Sequence, residues 1–241
     1  MRAIVWLRRL DYRRRYLRRH PGTDMARVPV VYCLHLGKTG GSFLKTVLRD
    51  PGSFLAEEVL FVPFGHNITQ RHLPRGAVMV FATRDPITRF TSGFYSRKRK
   101  GQPTSFRDWT KAEARAFGRF AEANDLAEAL DAEDPALRAE AAAAMQAIRH
   151  LREFQRDWFP DPARLAADLT AGRAHRLRQE HLNADLMRVF ARLGAPPAAR
   201  GAADPRPGAW QQLQPHAPPV GPGQGKPAPP LRRRFRLFGR A

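Results

Sequence analysis

The sequence predicts an α/β protein: a small central parallel sheet with helices on both faces, in three layers. Two short apolar runs carry this prediction, because each is followed at once by polar residues and then by helix signals. The first run ends at His35, and the second extends from Ala77 to Ala82. Such runs are typical of strands that are buried on both faces of a parallel sheet. Ligand-binding residues are expected at the carboxyl ends of these strands.

The segment after the first run has the composition of an anion-binding loop. It reads His35-Leu36-Gly37-Lys38-Thr39-Gly40-Gly41-Ser42 and precedes a predicted helix from Ser42 to Arg49. Glycines allow consecutive N–H groups to converge on phosphate or sulfate oxygens, and the helix adds its positive N-terminal end. The nucleoside triphosphatase pattern is not met, because position 32, where its first glycine would stand, is tyrosine.

The second run leads directly into Arg84, Asp85 and Pro86, and proline suits the first turn of a new helix. Arg84 offers a planar fork that matches phosphate, and Ser92, two helical turns further on, offers a hydroxyl. For Asp85 we expect a structural role, since an acid at a helix N-terminus interacts favourably with the helix dipole. Three further side chains of this helix are expected to be mainly scaffold: Arg89, Phe90 and Phe94.

Together these two motifs resemble those of the sulfotransferases that use 3'-phosphoadenylyl sulfate (PAPS), in particular bacterial members of sulfotransferase family 2, which are similar to the glycan 2-O-sulfotransferases. The resemblance covers about residues 28–194 and implies a P-loop-like fold. It departs from the family at Gly37, where proline is usual, and at Phe94, which takes the place of the motif's tyrosine. The neighbouring Tyr95 is left open between packing and lining the nucleotide groove.

The resemblance implies a divided nucleotide site. The residues expected to hold the 5'-phosphosulfate are Lys38, Thr39, Gly40, Gly41 and Ser42, and those expected to bind the 3'-phosphate are Arg84 and Ser92. PAPS is the implied sulfuryl donor, and no metal is expected. The implied reaction is in-line displacement at sulfur, with Lys38 stabilising the developing charge.

An acceptor hydroxyl must lose its proton as it attacks, which calls for a base with a pKa near neutral. In the glycan-modifying branch, a histidine at a comparable distance before the second motif acts as that base. His66 lies 18 residues before Arg84 and is our candidate. His35 and His72 compete: His35 is expected beside or beneath the loop, and His72 in an exposed segment. The branch also favours a carbohydrate acceptor.

Charge and composition divide the chain into three parts: a basic extension (1–27), the predicted sulfotransferase domain (28–194) and a proline-rich basic tail (195–241) that we expect to be disordered. The net charge is +20. Residues 1–20 hold eight arginines against one acid, and residues 196–241 hold eight basic residues against one acid. The charge therefore resides mainly in the two ends.

The N-terminal segment is either a basic interfacial helix in contact with a membrane or a solvated, frayed helix, and the solvated form is favoured slightly. We expect no signal peptide and no bilayer-spanning segment. The single cysteine, Cys33, lies inside the first strand and fits a reducing compartment, so a cytoplasmic location is expected.

Beyond the second motif the pattern is mostly helical. Residues 97–100 form a basic run that is expected to be solvated, with contact to an acidic acceptor as the alternative. Two or three covering helices are predicted over residues 106–130 and 135–159. A last strand is predicted over residues 174–177, before a helix that ends near Gly194. The segment from Arg178 to Leu186 is expected to have a structural role, and the alternative is that Glu180 or His181 approaches the mouth of the site.

Two other functions stay open. A nucleotide or small-molecule kinase would share the strand-loop-helix arrangement but bind ATP with magnesium. A non-catalytic, basic nucleic-acid-binding relative would keep the basic ends, although the sequence has no recognisable binding module.

Overall fold

The computed structural model describes residues 1–42, 44, 59–103 and 105–193. Within these ranges the chain forms two compact units, the first from residues 1–85 and 154–193 and the second from residues 86–153. The predicted helix after Ser42 and the proline-rich tail lie almost wholly outside the described residues. The domain boundaries at residues 27 and 194 stay predictions.

In the described residues there are seven α-helices: α1 (Arg2–Arg19), α2 (Pro86–Lys98), α3 (Lys111–Arg119), α4 (Ala123–Ala129), α5 (Pro135–Ala147), α6 (Pro162–Thr170) and α7 (Leu182–Arg192). Three short 3₁₀ turns accompany them, at Gln70–His72, Gln155–Trp158 and Gln179–His181. No described helix is long and apolar enough to cross a membrane.

The first unit contains a sheet of four parallel strands, β1 (Val30–Leu34), β2 (Leu60–Pro63), β3 (Val78–Thr83) and β4 (Ala174–Arg178). Their order across the sheet is β2-β1-β3-β4. The strands are parallel, and their last residues are aligned or offset by no more than two residues, so all four carboxyl ends lie along one edge. The predicted α/β class, with a small parallel sheet flanked by helices, is confirmed.

Both faces of the sheet are buried, as the continuous apolar runs predict. On one face, Phe81 of β3 packs against Phe159 with 4.4 Å between the ring centroids. On the other face, Phe61 of β2 meets Phe190 of α7 edge to face, at 5.5 Å. Cys33 is buried in β1 as a free thiol, and burial raises its pKa. Both faces of the sheet are therefore covered. A site on this sheet is expected at the strand ends, because its faces are occupied by packing.

Helix α1 differs from the solvated, frayed helix that was slightly favoured. Val5 is 3% exposed and belongs to the core of the first unit, while Tyr12 and Tyr16 pack against that core. The guanidinium carbon of Arg8 lies 6.0 Å from the ring centroid of Phe64. Residues one turn apart share a helix face, so a single face of α1 is anchored.

The second unit has its own apolar core, made by α2 to α5. Phe94 is fully buried and meets the ring of Phe117 edge to face, at 5.3 Å. Phe90 belongs to the same core, as expected for scaffold residues of α2. Helix α3 begins at a capping box, in which Glu113 N–H donates to Thr110 Oγ1 and Thr110 N–H donates to Glu113 Oε2. Helices α3, α4 and α5 thus occupy the region where two or three helices were predicted, although each is shorter than the predicted segments.

The prediction that residues 97–100 are solvated is wrong for Arg97. Its side chain is 4% exposed, and Nε and Nη2 donate to the two carboxylate oxygens of Glu113 at 2.7 and 2.8 Å. Arg97 also donates to the carbonyl oxygens of Arg107 and Asp108. Burial disfavours the charge on Glu113, but the hydrogen bonds from Arg97 and Thr110 prevail and lower its pKa to about 2. The pair fixes the loop before α3 to α2.

Candidate functional site

Four candidate side chains follow the four neighbouring strands of the first unit. His66 comes three residues after β2, Lys38 four residues after β1, Arg84 directly after β3, and Glu180 two residues after β4. Because the strands are parallel and adjacent, these residues are brought to the same edge of the sheet. The edge combines two cations, an imidazole and a carboxylate.

The loop after β1 has an unusual backbone. Lys38 is one of two non-glycine residues with positive φ in the described part of the chain, at 66°, and Gly40 has a φ of 85°. Thr39 is fully buried, and its hydroxyl donates to the carbonyl oxygen of Leu36 at 3.0 Å. While that bond persists, Thr39 can offer an anion only its backbone N–H. Leu44 N–H donates to the carbonyl oxygen of Gly40, so a helical turn begins at the end of the loop.

Gly41 cannot be replaced by a residue with a side chain unless His35 moves. A Cβ atom at position 41 would lie 2.0 Å from Cδ2 of His35. His35 is only 8% exposed and directly follows β1. The imidazole therefore supports the loop from beneath, as expected from the sequence.

His66 lies against His35. The two ring centroids are 3.9 Å apart, and the rings are inclined by 33°. His66 is exposed whereas His35 is buried, so of the two imidazoles His66 is the one that a ligand from solvent can reach. The arrangement is compatible with a general base at position 66.

The prediction that His72 is exposed is wrong. His72 is 8% exposed, and its Nδ1 accepts a hydrogen bond from the backbone N–H of Thr69 at 3.0 Å. Burial lowers the pKa of His72, and the nearby charge of Arg71 lowers it further. His72 thus closes its own 3₁₀ turn, which disfavours it as the base.

The backbone of Arg84 is clamped by one side chain. Gln155 Oε1 accepts from the N–H of Arg84 at 2.8 Å, and Gln155 Nε2 donates to the carbonyl oxygen of Arg84 at 2.8 Å. The side-chain amide of Gln155 thereby pairs with the backbone of Arg84 as a neighbouring strand would. Sequence reasoning missed Gln155, since no motif or periodicity distinguishes it.

The guanidinium of Arg84 reaches the first motif. Nη1 lies 3.5 Å from the carbonyl oxygen of Lys38, at the long limit of a hydrogen bond. Burial lowers the pKa of Arg84, while the carboxylates of Glu180 and Asp85 raise it. An arginine keeps its charge in either case. The two predicted phosphate-binding motifs therefore meet at adjacent strand ends.

The junction after β4 is fixed by buried charge. Asp185 is 5% exposed and accepts three hydrogen bonds from Arg178: from the backbone N–H at 2.7 Å, from Nε at 3.0 Å and from Nη2 at 2.9 Å. The side-chain hydrogen bond from Arg178 holds the pKa of Asp185 well below its usual range. This confirms a structural role for this segment.

From that junction, Glu180 contacts the end of β3. Its Oε1 accepts from the backbone N–H of Asp85 at 2.8 Å. Gln179 flanks the first loop, since a Cβ at Gly40 would lie 3.3 Å from Gln179 Cγ. Glu180 thus approaches the strand edge that carries Lys38 and Arg84.

The remaining predicted residues of the second motif lie in α2, in the second unit. Ser92 and Arg89 are both 7% exposed. Tyr95 is half-buried, and its hydroxyl donates to Glu122 Oε2 at 2.5 Å. Tyr95 is thus engaged in the packing of the second unit, and the nucleotide contact of Ser92 stays a prediction.

Among the residues that the structure describes, no group of three or more His, Cys, Asp or Glu side chains is arranged to hold a metal ion. At the strand edge, the cationic side chains of Lys38 and Arg84 lie beside a loop with left-handed backbone. This combination suits a multiply charged anion. Comparison with protein-family models, with curated proteins and with solved structures found no match.

Proposed function

We propose that the protein transfers a sulfuryl group from PAPS to an acceptor hydroxyl. The observation that carries this proposal is the approach of Arg84 to the carbonyl oxygen of Lys38, at 3.5 Å. It brings a bidentate phosphate-binding group to a lysine-bearing, glycine-rich loop. A nucleotide with a phosphosulfate at one end and a 3'-phosphate at the other has the charge that such a divided site can bind.

In this proposal, Lys38 and the N–H groups of residues 39–42 bind the 5'-phosphosulfate, while Arg84 binds the 3'-phosphate; a contribution from Ser92 to that phosphate stays a prediction of the sequence resemblance. Gln155 and Glu180 hold the backbone of residues 84 and 85 in place. The backbone of Arg84 therefore needs little rearrangement when the nucleotide enters, which is how a protein reduces the cost of ordering a site.

The donor supplies an activated sulfuryl group whose leaving group is adenosine 3',5'-bisphosphate (PAP). As the acceptor oxygen forms its bond to sulfur, the bond from sulfur to the phosphate oxygen breaks and its electron pair leaves with PAP. Lys38 stabilises the negative charge that grows on that oxygen. His66 takes the acceptor proton, because it is exposed at the strand edge and its ring is steadied by His35.

For the acceptor we propose a carbohydrate hydroxyl, because His66 has the placement of the base in the glycan-modifying branch. We also propose a cytoplasmic location, on the basis of the single buried thiol of Cys33. Both proposals rest on the sequence resemblance and on residue chemistry.

The test is to incubate the purified protein with PAPS and a panel of saccharides, and to follow sulfated products and PAP by mass spectrometry. We expect sulfation of at least one saccharide without added metal, and no product with Lys38→Ala. ATP with magnesium serves as the competing donor. If phosphorylated products form and no sulfated product does, the protein is a kinase and the proposal is wrong.

A further inference from the structure

Helix α1 has a second face that the core of the first unit does not use. Val5, Tyr12 and Tyr16 lie on the anchored face, at helical spacing. Trp6, Leu10 and Leu17 recur at intervals of four and seven residues and therefore follow another stripe of the same helix. Trp6 is 59% exposed, and Leu10 and Leu17 are half-buried.

Exposed apolar side chains are concentrated at the beginning of this helix. Seven large apolar side chains are exposed in the described part of the chain, and four of them lie within residues 1–7. They are Met1, Ile4, Trp6 and Leu7. Single apolar residues on a surface need no explanation, but a cluster at one end of a helix marks an interaction surface.

Basic residues flank these apolar side chains. Residues 1–20 contain eight arginines, and their one acid, Asp11, is paired with Arg15 at 2.9 Å. Arg13 and Arg14 are exposed beside the stripe of Trp6, Leu10 and Leu17. A surface that combines strong positive charge with an apolar stripe fits the headgroup region of an anionic bilayer.

We propose that the outer face of α1 binds anionic phospholipid membranes, with Trp6 and Leu7 entering the interface and the arginines contacting lipid phosphates. A bilayer is favoured over a nucleic acid because a phosphate backbone attracts arginines but offers an exposed cluster of Met, Ile, Trp and Leu no apolar layer. Since α1 is anchored to the sheet by Val5, such binding brings the whole first unit to the membrane surface. The inference does not depend on the proposed sulfuryl transfer.

The test is co-sedimentation of the full chain with phosphatidylcholine vesicles, and with vesicles of equimolar phosphatidylcholine and phosphatidylglycerol. We expect binding to the anionic vesicles only. Trp6→Ala/Leu7→Ala should weaken binding by about tenfold or more, because apolar contact with the lipid is lost. Arg13→Glu/Arg14→Glu should weaken it at least as much. All four side chains are exposed, so neither variant disturbs the core.

Matched controls change side chains that are also exposed, elsewhere in the described structure. They are Leu169→Ala/Met187→Ala for apolar contact and Arg75→Glu/Arg99→Glu for charge. Both controls should bind the anionic vesicles as the wild type does. The proposal is overturned if the charge control weakens binding as much as Arg13→Glu/Arg14→Glu, or if Trp6→Ala/Leu7→Ala binds normally. It is equally overturned if a DNA duplex binds tightly while the anionic vesicles do not.

Discussion

The guanidinium of Arg84 lies 3.5 Å from the main-chain carbonyl oxygen of Lys38, and this contact joins the ends of the adjacent strands β3 and β1. The two residues are 46 positions apart in the sequence. Their approach places a planar guanidinium beside a loop whose backbone is left-handed at Lys38 and Gly40.

Gly41→Ala should damage the loop, because the new Cβ would lie 2.0 Å from His35 Cδ2. We expect the first unit to lose about 1–3 kcal/mol of unfolding free energy, and PAP binding to weaken. Denaturant unfolding provides the measurement. Gly118→Ala is the control, since a Cβ there meets nothing within 4 Å in α3; it should stabilise by about 0.5–1 kcal/mol. Equal effects of the two substitutions would contradict the packing argument.

Gln155→Leu should weaken PAP binding by about tenfold, because the N–H and carbonyl groups of Arg84 lose the partners that fix them. Unfolding free energy should fall by about 1–3 kcal/mol for the same reason. Calorimetric titration and denaturant unfolding measure the two effects. The matched control is Gln146→Leu, on the exposed surface of α5. Unchanged PAP affinity in Gln155→Leu would show that the clamp does not serve the site.

His66→Ala should retain the affinity for PAP but lose sulfuryl transfer, because the acceptor proton has no base to receive it. His66 is exposed, so its removal leaves the core intact. Transfer is measured with the saccharide that the panel identifies, beside Asn67→Ala as an exposed neighbouring control. Full activity of the His66 variant would assign the base elsewhere.

Glu113→Gln should destabilise the second unit by about 3 kcal/mol, because it leaves the buried Arg97 without its carboxylate partner. Glu140→Gln, which removes the exposed pair with Arg119, should cost no more than about 1 kcal/mol. Denaturant unfolding at neutral pH separates the two cases. Similar losses in both variants would contradict the burial argument for Glu113.

The pair of Arg97 and Glu113 also predicts that the stability of the second unit falls at acidic pH. The pKa of Glu113 falls from its ordinary 4.5 to about 2 in the folded chain, so its contribution is complete above pH 4.5 and is lost as the pH falls through 2. The stability difference between wild type and Glu113→Gln should therefore shrink over this interval. A difference that stays constant down to pH 2 would refute the assignment.

Much of the sheet could be predicted from the sequence, because a strand buried on both faces must be apolar throughout. The run Ala77 to Ala82 differs from β3 by one residue at each end. The predicted strand at residues 174–177 is β4, which extends to Arg178. That Lys38 and Arg84 lie at strand ends of one edge could be predicted in the same way, whereas their nucleotide-binding roles rest on the motif resemblance and stay predictions.

The burial of individual polar side chains could not be predicted in this way. Arg97 lies in a run of four basic residues that suggests a solvated surface, yet Glu113 and two carbonyl groups enclose it. His72 is buried by a local turn in which its own imidazole accepts from Thr69. Gln155 reaches Arg84 across 71 positions. Hydrogen-bond partners of this kind follow no periodic pattern in the sequence, because each pairing depends on a single tertiary contact.

The most direct test of the central claim is calorimetric titration of PAP, without magnesium, into the wild type, Lys38→Ala, Arg84→Ala and the exposed control Arg75→Ala. We predict that wild type and control bind PAP equally, while each of the other variants binds about tenfold or more weakly, since each loses a charge-assisted contact to phosphate. Absence of PAP binding by the wild type, or equal binding by all four proteins, would contradict the account.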